Sequence, residues 1–168
     1  MIFVDEFGVH VAMTRTHARA LHGQRAEVWE KVERGKTMSA MSALGLRGIF
    51  APRVIEGAVE QLVFEQYVEC LLVLQLLPQD CVMLDNLSFH YSSRVSSLIE
   101  AAGAQVDHCP ASSPDFNPLE EGIAKIKATL RKYKPDTERA LLHAFAFALQ
   151  QISRSDIRGW FKHCGYQT

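Results

Sequence analysis

Cysteine is scarce and scattered, no long apolar run is unbroken, and neither sign of charge dominates. The four cysteines, Cys70, Cys81, Cys109 and Cys164, form no CxxC pair. That spacing argues against a disulfide framework and for reduced thiols in the cytoplasm. His108 beside Cys109 lacks the short spacing of a structural zinc site, so zinc is not expected. The longest apolar stretch, LVFEQYVECLLVLQLLP, is interrupted by Glu65 and Glu69 and is too short to span a bilayer, so no membrane partner is expected. No signal-peptide pattern precedes the opening MIFV. The formal net charge is −1, so a nucleic-acid partner has to be argued from local clusters. Repeats and low-complexity segments are absent as well. What remains is a chain of 168 residues, 48% hydrophobic, which is enough for a single domain over 1–168 with a real core.

IFVDE (2–6) reads as a short buried strand, with HVAMT (10–14) as its hairpin partner across Phe7-Gly8. Arg15 to Lys36 is mixed in charge and poorly periodic, and reads as loop. TMSAMSALGLRGIFAPRVIEG predicts two strands around Leu46-Arg47-Gly48. Residues 59–76 predict one long helix, with Leu62, Tyr67, Leu71 and Leu74 among its apolar positions, ended by Pro78-Gln79-Asp80. CVMLDN (81–86) is a continuous apolar strand of the kind buried on both faces. SSRVSSLIEAAG is an amphipathic helix presenting Val95, Leu98, Ile99 and Ala102 to the core and stopped by Gly103. AQVDHCP is one more strand, and helices follow at 118–134, about 138–152 and about 155–163. This order predicts an α/β or α+β sheet with helices packed on it. The early strands form an antiparallel meander. The strand at 81–85 arrives by a helical crossover and pairs parallel beside the first.

Two strands end in an acidic residue, IFVDE at Asp5 and VMLDN at Asp85. If they are neighbours, the two carboxylates lie side by side near the strands' carboxyl ends, where open α/β sheets place ligands. Such a pair repels unless one is protonated or a cation neutralises both, and hard oxygen ligands suit magnesium or manganese. An Asp at a strand end is equally often a plain turn former, which Asp85-Asn86 would suit. Glu6 competes with Asp5, since successive strand side chains point to opposite faces and only one can face Asp85. Spacing leaves that open.

A third acidic position follows PASSPDFNPLEEGIAKIK (110–127). Asn117 as N-cap, Pro118 at the first helical position and Glu120 at the third resemble a capping box. Glu121 has Lys125 one turn on and reads as a surface ion pair. Glu120 instead heads a ridge of Lys127, Arg131 and Lys134, while Leu119, Ile123, Ile126, Leu130 and Tyr133 form the apolar stripe. A phosphate backbone laid along that ridge would run toward Glu120, although a basic helix face is often only solvated surface.

The succession of Asp5, DNLSFH (Asp85 to His90) and SPDFNPLE (Ser113 to Glu120) resembles the DDE transposases of the mariner superfamily, with the bacterial insertion-sequence 630 group as the nearest pattern. Thirty-four residues, 86–119, separate Asp85 from Glu120, the interval of that superfamily. MTRTHARALHGQR and the closing FKHCGY extend the resemblance over nearly the whole chain. It implies an RNase H-like fold, a five-stranded mixed sheet flanked by helices. It also implies a catalytic, metal-binding triad of Asp5, Asp85 and Glu120, chosen over Glu6 and Glu121, and two Mg2+ or Mn2+ ions. The implied chemistry is phosphoryl transfer that nicks donor DNA and joins the freed 3′ end to a target. Asn86, His90 and Asn117 take supporting roles, ordering the second aspartate, touching DNA or capping the helix. Lys125, Lys127, Arg131 and Lys134 are the expected DNA contacts.

The implied partners are transposon ends and target DNA, with a homodimer by analogy and a bacterial, nucleoid-associated location. Two departures stand out. Pro110-Ala111-Ser112-Ser113-Pro114 replaces a loop richer in proline and aromatics, and Ile123 stands where relatives commonly carry an aromatic. Family members normally have helix-turn-helix modules ahead of this domain, and the sequence opens on the first catalytic strand, so that region is expected to be separate or missing. A decayed or repurposed copy that binds DNA or a partner without catalysis is the alternative. An RNase H-like nuclease acting on RNA–DNA hybrids fits the NPLE segment poorly.

Overall fold

Alternation along IFVDEFGV builds the central strand. In this computed structural model, which describes residues 1–15, 17–27, 35–111 and 113–168, that strand is β1, Ile2–Val9. Phe3, Phe7 and Val9 face one hydrophobic layer, while Ile2 and Val4 face another. β2 (Met38–Gly45) and β3 (Gly48–Glu56) form a hairpin. β2 is built almost wholly of small and apolar residues, and it is buried along its length. β3 carries an extra residue at Ala51-Pro52, where Ala51 adopts a φ of 49°. A bulge there accommodates the missing N–H of Pro52.

The sheet is five-stranded and mixed, in the order β3-β2-β1-β4-β5, with β4 at Cys81–Leu84 and β5 at Gln105–His108. β1 pairs antiparallel with β2 and parallel with β4, and β4 pairs parallel with β5. The expected placement of the 81–85 strand beside the first is therefore present. β4 buries Val82 and Leu84 fully but Cys81 and Met83 only partly, so it is less enclosed than its apolar run predicts.

HVAMT is not a strand. β1 continues through Phe7-Gly8 to Val9 and pairs over all eight residues with β2, while β4 takes its other edge. With β2 along one whole edge and β4 on the other at Ile2 and Phe3, no full-length edge is left for 10–14, although Met13 is still buried in the core. The predicted loop between Arg15 and Lys36 lies partly outside the described residues, and its described part holds neither helix nor strand.

Helices cover both faces. On one side α1 (Gln61–Tyr67) runs directly into a π-helical turn, Val68–Leu72, and a 3-10 turn, Val73–Gln75. The segment is helical as expected, but its pitch changes twice. The π turn carries extra backbone per turn and rotates the apolar face. Phe64, Tyr67, Val68 and Leu72 are buried, whereas Leu62 and Leu74, two of the segment's apolar positions, are 65% and 75% exposed. α2 (Ser93–Ala101) buries Val95 and Ile99, and Gly103 ends it with a φ of 81°.

On the other side lie α3 (Pro118–Tyr133), α4 (Glu138–Gln150) and α5 (Arg154–His163). Leu119, Ile123, Ile126 and Leu130 of α3 are buried against β1 and β2. Tyr133, predicted for the same stripe, is exposed at the helix end and packs on Phe147, with ring centroids 5.1 Å apart. Among the described residues no helix is long and apolar enough to cross a membrane.

Candidate active site

Phe3 pairs with Met83 across the parallel β1–β4 ladder. Asp5 and Asp85 each follow two residues later, Asp5 in the middle of β1 and not at the strand end that the sequence pattern predicts, Asp85 one residue past the end of β4. Because Phe3, Phe7 and Met83 belong to the layer beneath α3, the same alternation turns Asp5 to the α3 side and Glu6 to the opposite one. An open cleft of about 310 Å³ lies there, lined by Asp5, Asp85 and Glu120 together with Asn86, Asn117 and Cys109.

Asp5 is only 8% exposed. Its Oδ1 accepts from the Glu6 backbone N–H at 2.8 Å and its Oδ2 from Asn117 Nδ2 at 2.8 Å. Burial, with the charges of Glu120, Glu6 and Asp85 around it, still pushes its pKa up to about 7.

Asp85 lies just past the end of β4 and is partly exposed. Burial favours its neutral form, but His90, the Leu87 N–H at 3.1 Å and His108 outweigh that and hold it below the usual carboxylate range. His90 Nδ1 is 2.5 Å from Asp85 Oδ1. Glu120 is exposed in the first turn of α3.

The prolines set Glu120's position. Pro114–Phe116 forms a single 3-10 turn, Asn117 returns to extended backbone (φ −105°, ψ 97°), and Pro118 starts α3. Asn117 Oδ1 accepts from the Leu119 N–H at 3.0 Å while its amide holds Asp5. One side chain thus caps the helix and fixes a carboxylate of the cleft. Capping falls to Asn117, and Glu120 is left to the cleft.

Asn86 ties strand ends together: its Nδ2 donates to the Cys109 carbonyl at 2.6 Å, and its Oδ1 accepts from the Tyr91 hydroxyl. The Tyr91 ring stacks on His108 at 4.1 Å with an interplanar angle of 2°. His90 is fully buried between the rings of Phe64 and Phe89, at 4.3 and 4.6 Å. It is no surface cap.

The basic ridge is rearranged relative to expectation. Glu121 does not pair with Lys125. His163 lies 2.9 Å from Glu121, and Asp156 lies 2.7 Å from Lys125, because α5 packs along α3 and supplies a partner to each. Lys127 is half-buried with its ammonium 5.5 Å above the Phe7 ring, Arg131 is half-buried, and Lys134 is the exposed left-handed cap of α3. Sequence reasoning passed over Cys109 and Pro110, which also line the cleft. Their place follows from the β4–β5 pairing of Leu84 with His108, a long-range contact with no local marker.

Among the described residues no three His, Cys, Asp or Glu side chains are preassembled as a cage for an ion. The case for a cation rests on charge. Three carboxylates border one cleft, one of them buried and resisting ionisation, and all their donor atoms are hard oxygens. Such a set fits Mg2+ or Mn2+.

The family model of the DDE superfamily endonucleases matches residues 1–142. The chain belongs to that family. Solved structures similar to this DDE domain include a pre-cleavage Mos1 transpososome (TM-score 0.77, 16% identity, covering 97% of this chain and 52% of that one). They also include the Mos1 mariner paired end complex with Mn (0.77, 16%, 97% and 52%) and the catalytic domain of Mos1 mariner transposase (0.72, 14%, 97% and 76%). At these identities the likeness is one of fold, and the five-stranded mixed sheet flanked by helices is RNase H-like. The DDE domain spans about half the length of the transposase chains in the Mos1 complexes. No curated protein matches it.

Proposed function

We propose that this DDE domain is the catalytic domain of a transposase of the insertion-sequence 630 type, cutting DNA and joining the freed end to a target by metal-dependent phosphoryl transfer. One observation carries the reading: Asp5 on β1, Asp85 just past the end of the adjacent parallel strand β4, and Glu120 at the start of α3 border one cleft. Asp5, Asp85 and Glu120 would hold two Mg2+ or Mn2+ ions. When bound, those ions supply an activated water or 3′-hydroxyl and stabilise the leaving oxygen of an in-line displacement.

The chain's own residues prepare that site. Asn117 and the Glu6 N–H orient the Asp5 carboxylate, while Leu87 N–H and His90 fix one oxygen of Asp85. The rigid turn before α3 presents Glu120 without using it as a cap. Lys127, Arg131 and Lys134 extend from that helix start as a track for the phosphate backbone, with Lys125 held back by Asp156. The paired end complexes of Mos1 support DNA as partner and divalent cations as cofactors. A homodimer and a separate helix-turn-helix region complete the reading by analogy, as does a place at the bacterial nucleoid.

Nicking of supercoiled plasmid with magnesium, manganese or chelator tests it, with Asp85→Asn as control. Metal-dependent nicking that is lost in the variant is the expected result. A folded protein that binds manganese but does not nick would require a further module or partner. One that neither nicks nor binds metal would fit a DNA-binding copy without catalysis.

A further inference from the structure

Glu6 stands beside the site but on the wrong face of the sheet for the cleft. Its side chain is 15% exposed, and Oε2 is buried with no hydrogen-bond partner among the described residues. A carboxylate kept in such a place needs a compensating group. That group is His90, whose Nε2 lies 3.6 Å from Glu6 Oε2 while Nδ1 lies 2.5 Å from Asp85 Oδ1. One imidazole therefore spans a carboxylate on β1 and a carboxylate beyond the end of β4. Phe64 and Phe89 clamp its ring, so the ring is confined from its sides as well as from both nitrogens. Neither nitrogen makes a well-aligned hydrogen bond, and the bridge consists of a carboxylate oxygen facing each ring nitrogen.

We propose that Glu6 is a positioning residue, holding His90 from behind the sheet so that His90 fixes Asp85 in the cleft. The inference rests on the reading of Asp85 as a metal ligand. Asp85 needs such support because it lies past the end of β4, where ladder bonds no longer constrain it. Both of its supports, Leu87 N–H and His90, fall on Oδ1, and Oδ2 is used by neither. Without Glu6 the imidazole loses one of its two anchors, and Asp85 loses definition without any change to its own chemistry. Supporting contacts behind a metal ligand commonly alter affinity by one or two orders of magnitude. The contact here is longer than a hydrogen bond, so the lower end applies.

A double-mutant cycle on the whole protein tests this, with calorimetric titration of Mn2+ and melting in chelator for Glu6→Leu, His90→Leu, the double variant and Asp85→Asn. Glu6→Leu is expected to weaken Mn2+ binding about tenfold, and the double variant to bind no worse than His90→Leu alone, because Glu6 acts only through His90. The His90 ring signals in the nitrogen–proton spectrum of the metal-free protein should also shift in Glu6→Leu. If His90→Leu does not fold, Glu6→Gln serves in its place. It keeps an acceptor facing Nε2 and should retain most of the affinity that Glu6→Leu loses. Unchanged Mn2+ affinity in Glu6→Leu, with affinity lost in Asp85→Asn, overturns the positioning role, as do additive losses in the double variant. Unchanged affinity in Asp85→Asn overturns the metal site itself.

Discussion

A carboxylate at the centre of a sheet, with Glu120, Glu6 and Asp85 around it, costs stability unless something neutralises it, and Asp5 meets those conditions. Its pKa near 7 in the folded protein lies above the ordinary value of 3.8. The folded state therefore binds more protons than the unfolded one between about pH 4 and pH 7, and stability falls as pH rises through that window. Asp5→Asn removes the charge but sacrifices one of the two hydrogen bonds that Asp5 accepts. In chelator at pH 8 the variant should be more stable by about 1 kcal/mol, the charge penalty exceeding the lost bond. By pH 5 that advantage should be gone. Manganese should raise the melting temperature of the natural protein and leave the variant unmoved. Urea denaturation at the two pH values decides it, and a variant less stable at both would overturn the account. Local pattern singled out Asp85 and Glu120 as candidates but left Asp5 and Glu6 unresolved, because it ended the first strand at residue 6 where β1 runs on to Val9; only the family resemblance chose Asp5. The Glu6–His90 contact was not legible. It joins positions 84 apart and depends on how deeply a 3-10 turn seats the His90 ring against Phe64 of α1, which no local pattern encodes.

Helix ends follow the same division. α5 begins with a reciprocal cap: the Asp156 N–H donates to Ser153 Oγ at 3.1 Å, and the Ser153 N–H donates to Asp156 Oδ2 at 2.8 Å. Lys125 of α3 adds its ammonium to that oxygen at 2.7 Å, so one carboxylate both starts α5 and ties it to α3. Lys125 and the Ser153 hydroxyl, helped by the Ser153 amide, hold the Asp156 pKa down to about 2. A depressed carboxylate stabilises the fold above its unfolded value near 3.8 and loses that contribution as pH falls through about 2. Asp156→Asn should cost about 1 kcal/mol at pH 7, discounted for the solvent that reaches the pair. The gap between variant and natural protein should close between pH 4 and pH 2, and a gap that stays constant there would rule the ion pair out as its source. Periodicity and punctuation located all five helices, because Pro118, Gly103 and the apolar stripes act within a turn or two. They mislocated HVAMT, whose fate depends on β2 occupying one whole edge of β1 and β4 the start of the other, at Ile2 and Phe3. They also missed the π turn at Val68–Leu72, where packing against the sheet overrides the even 3.6-residue pattern.

For the molecule as a whole, the question is how a chain of net charge −1 could hold a polyanion. The mixed sheet gathers Asp5, from the middle of β1 and not its expected carboxyl end, and Asp85, just past β4, at one cleft, and α3 starts at that same cleft and runs away from it. From Lys127 to Lys134 is about 10 Å along the helix axis, at about 1.5 Å per residue, long enough to follow two or three phosphates of one strand. Spaced four and three residues apart, Lys127, Arg131 and Lys134 share a face, and the docking of α5 removes Lys125 from service by pairing it with Asp156. On the proposed reading, near-neutral overall charge supplies no general field, and DNA binding would depend on this local track. Replacing Lys127, Arg131 and Lys134 together by Gln should weaken binding to all duplex sequences alike, and should lessen the slope of log affinity against log salt by about 2 to 3. Lys127 is the weakest contributor, because its ammonium already rests over Phe7. Arg53→Gln, on the exposed edge strand β3, should leave the slope unchanged. Fluorescence anisotropy with a labelled duplex over a salt series measures both. A triple variant with the natural slope would place the DNA path on another face, and would leave the basic ridge as solvated surface beside the candidate cleft.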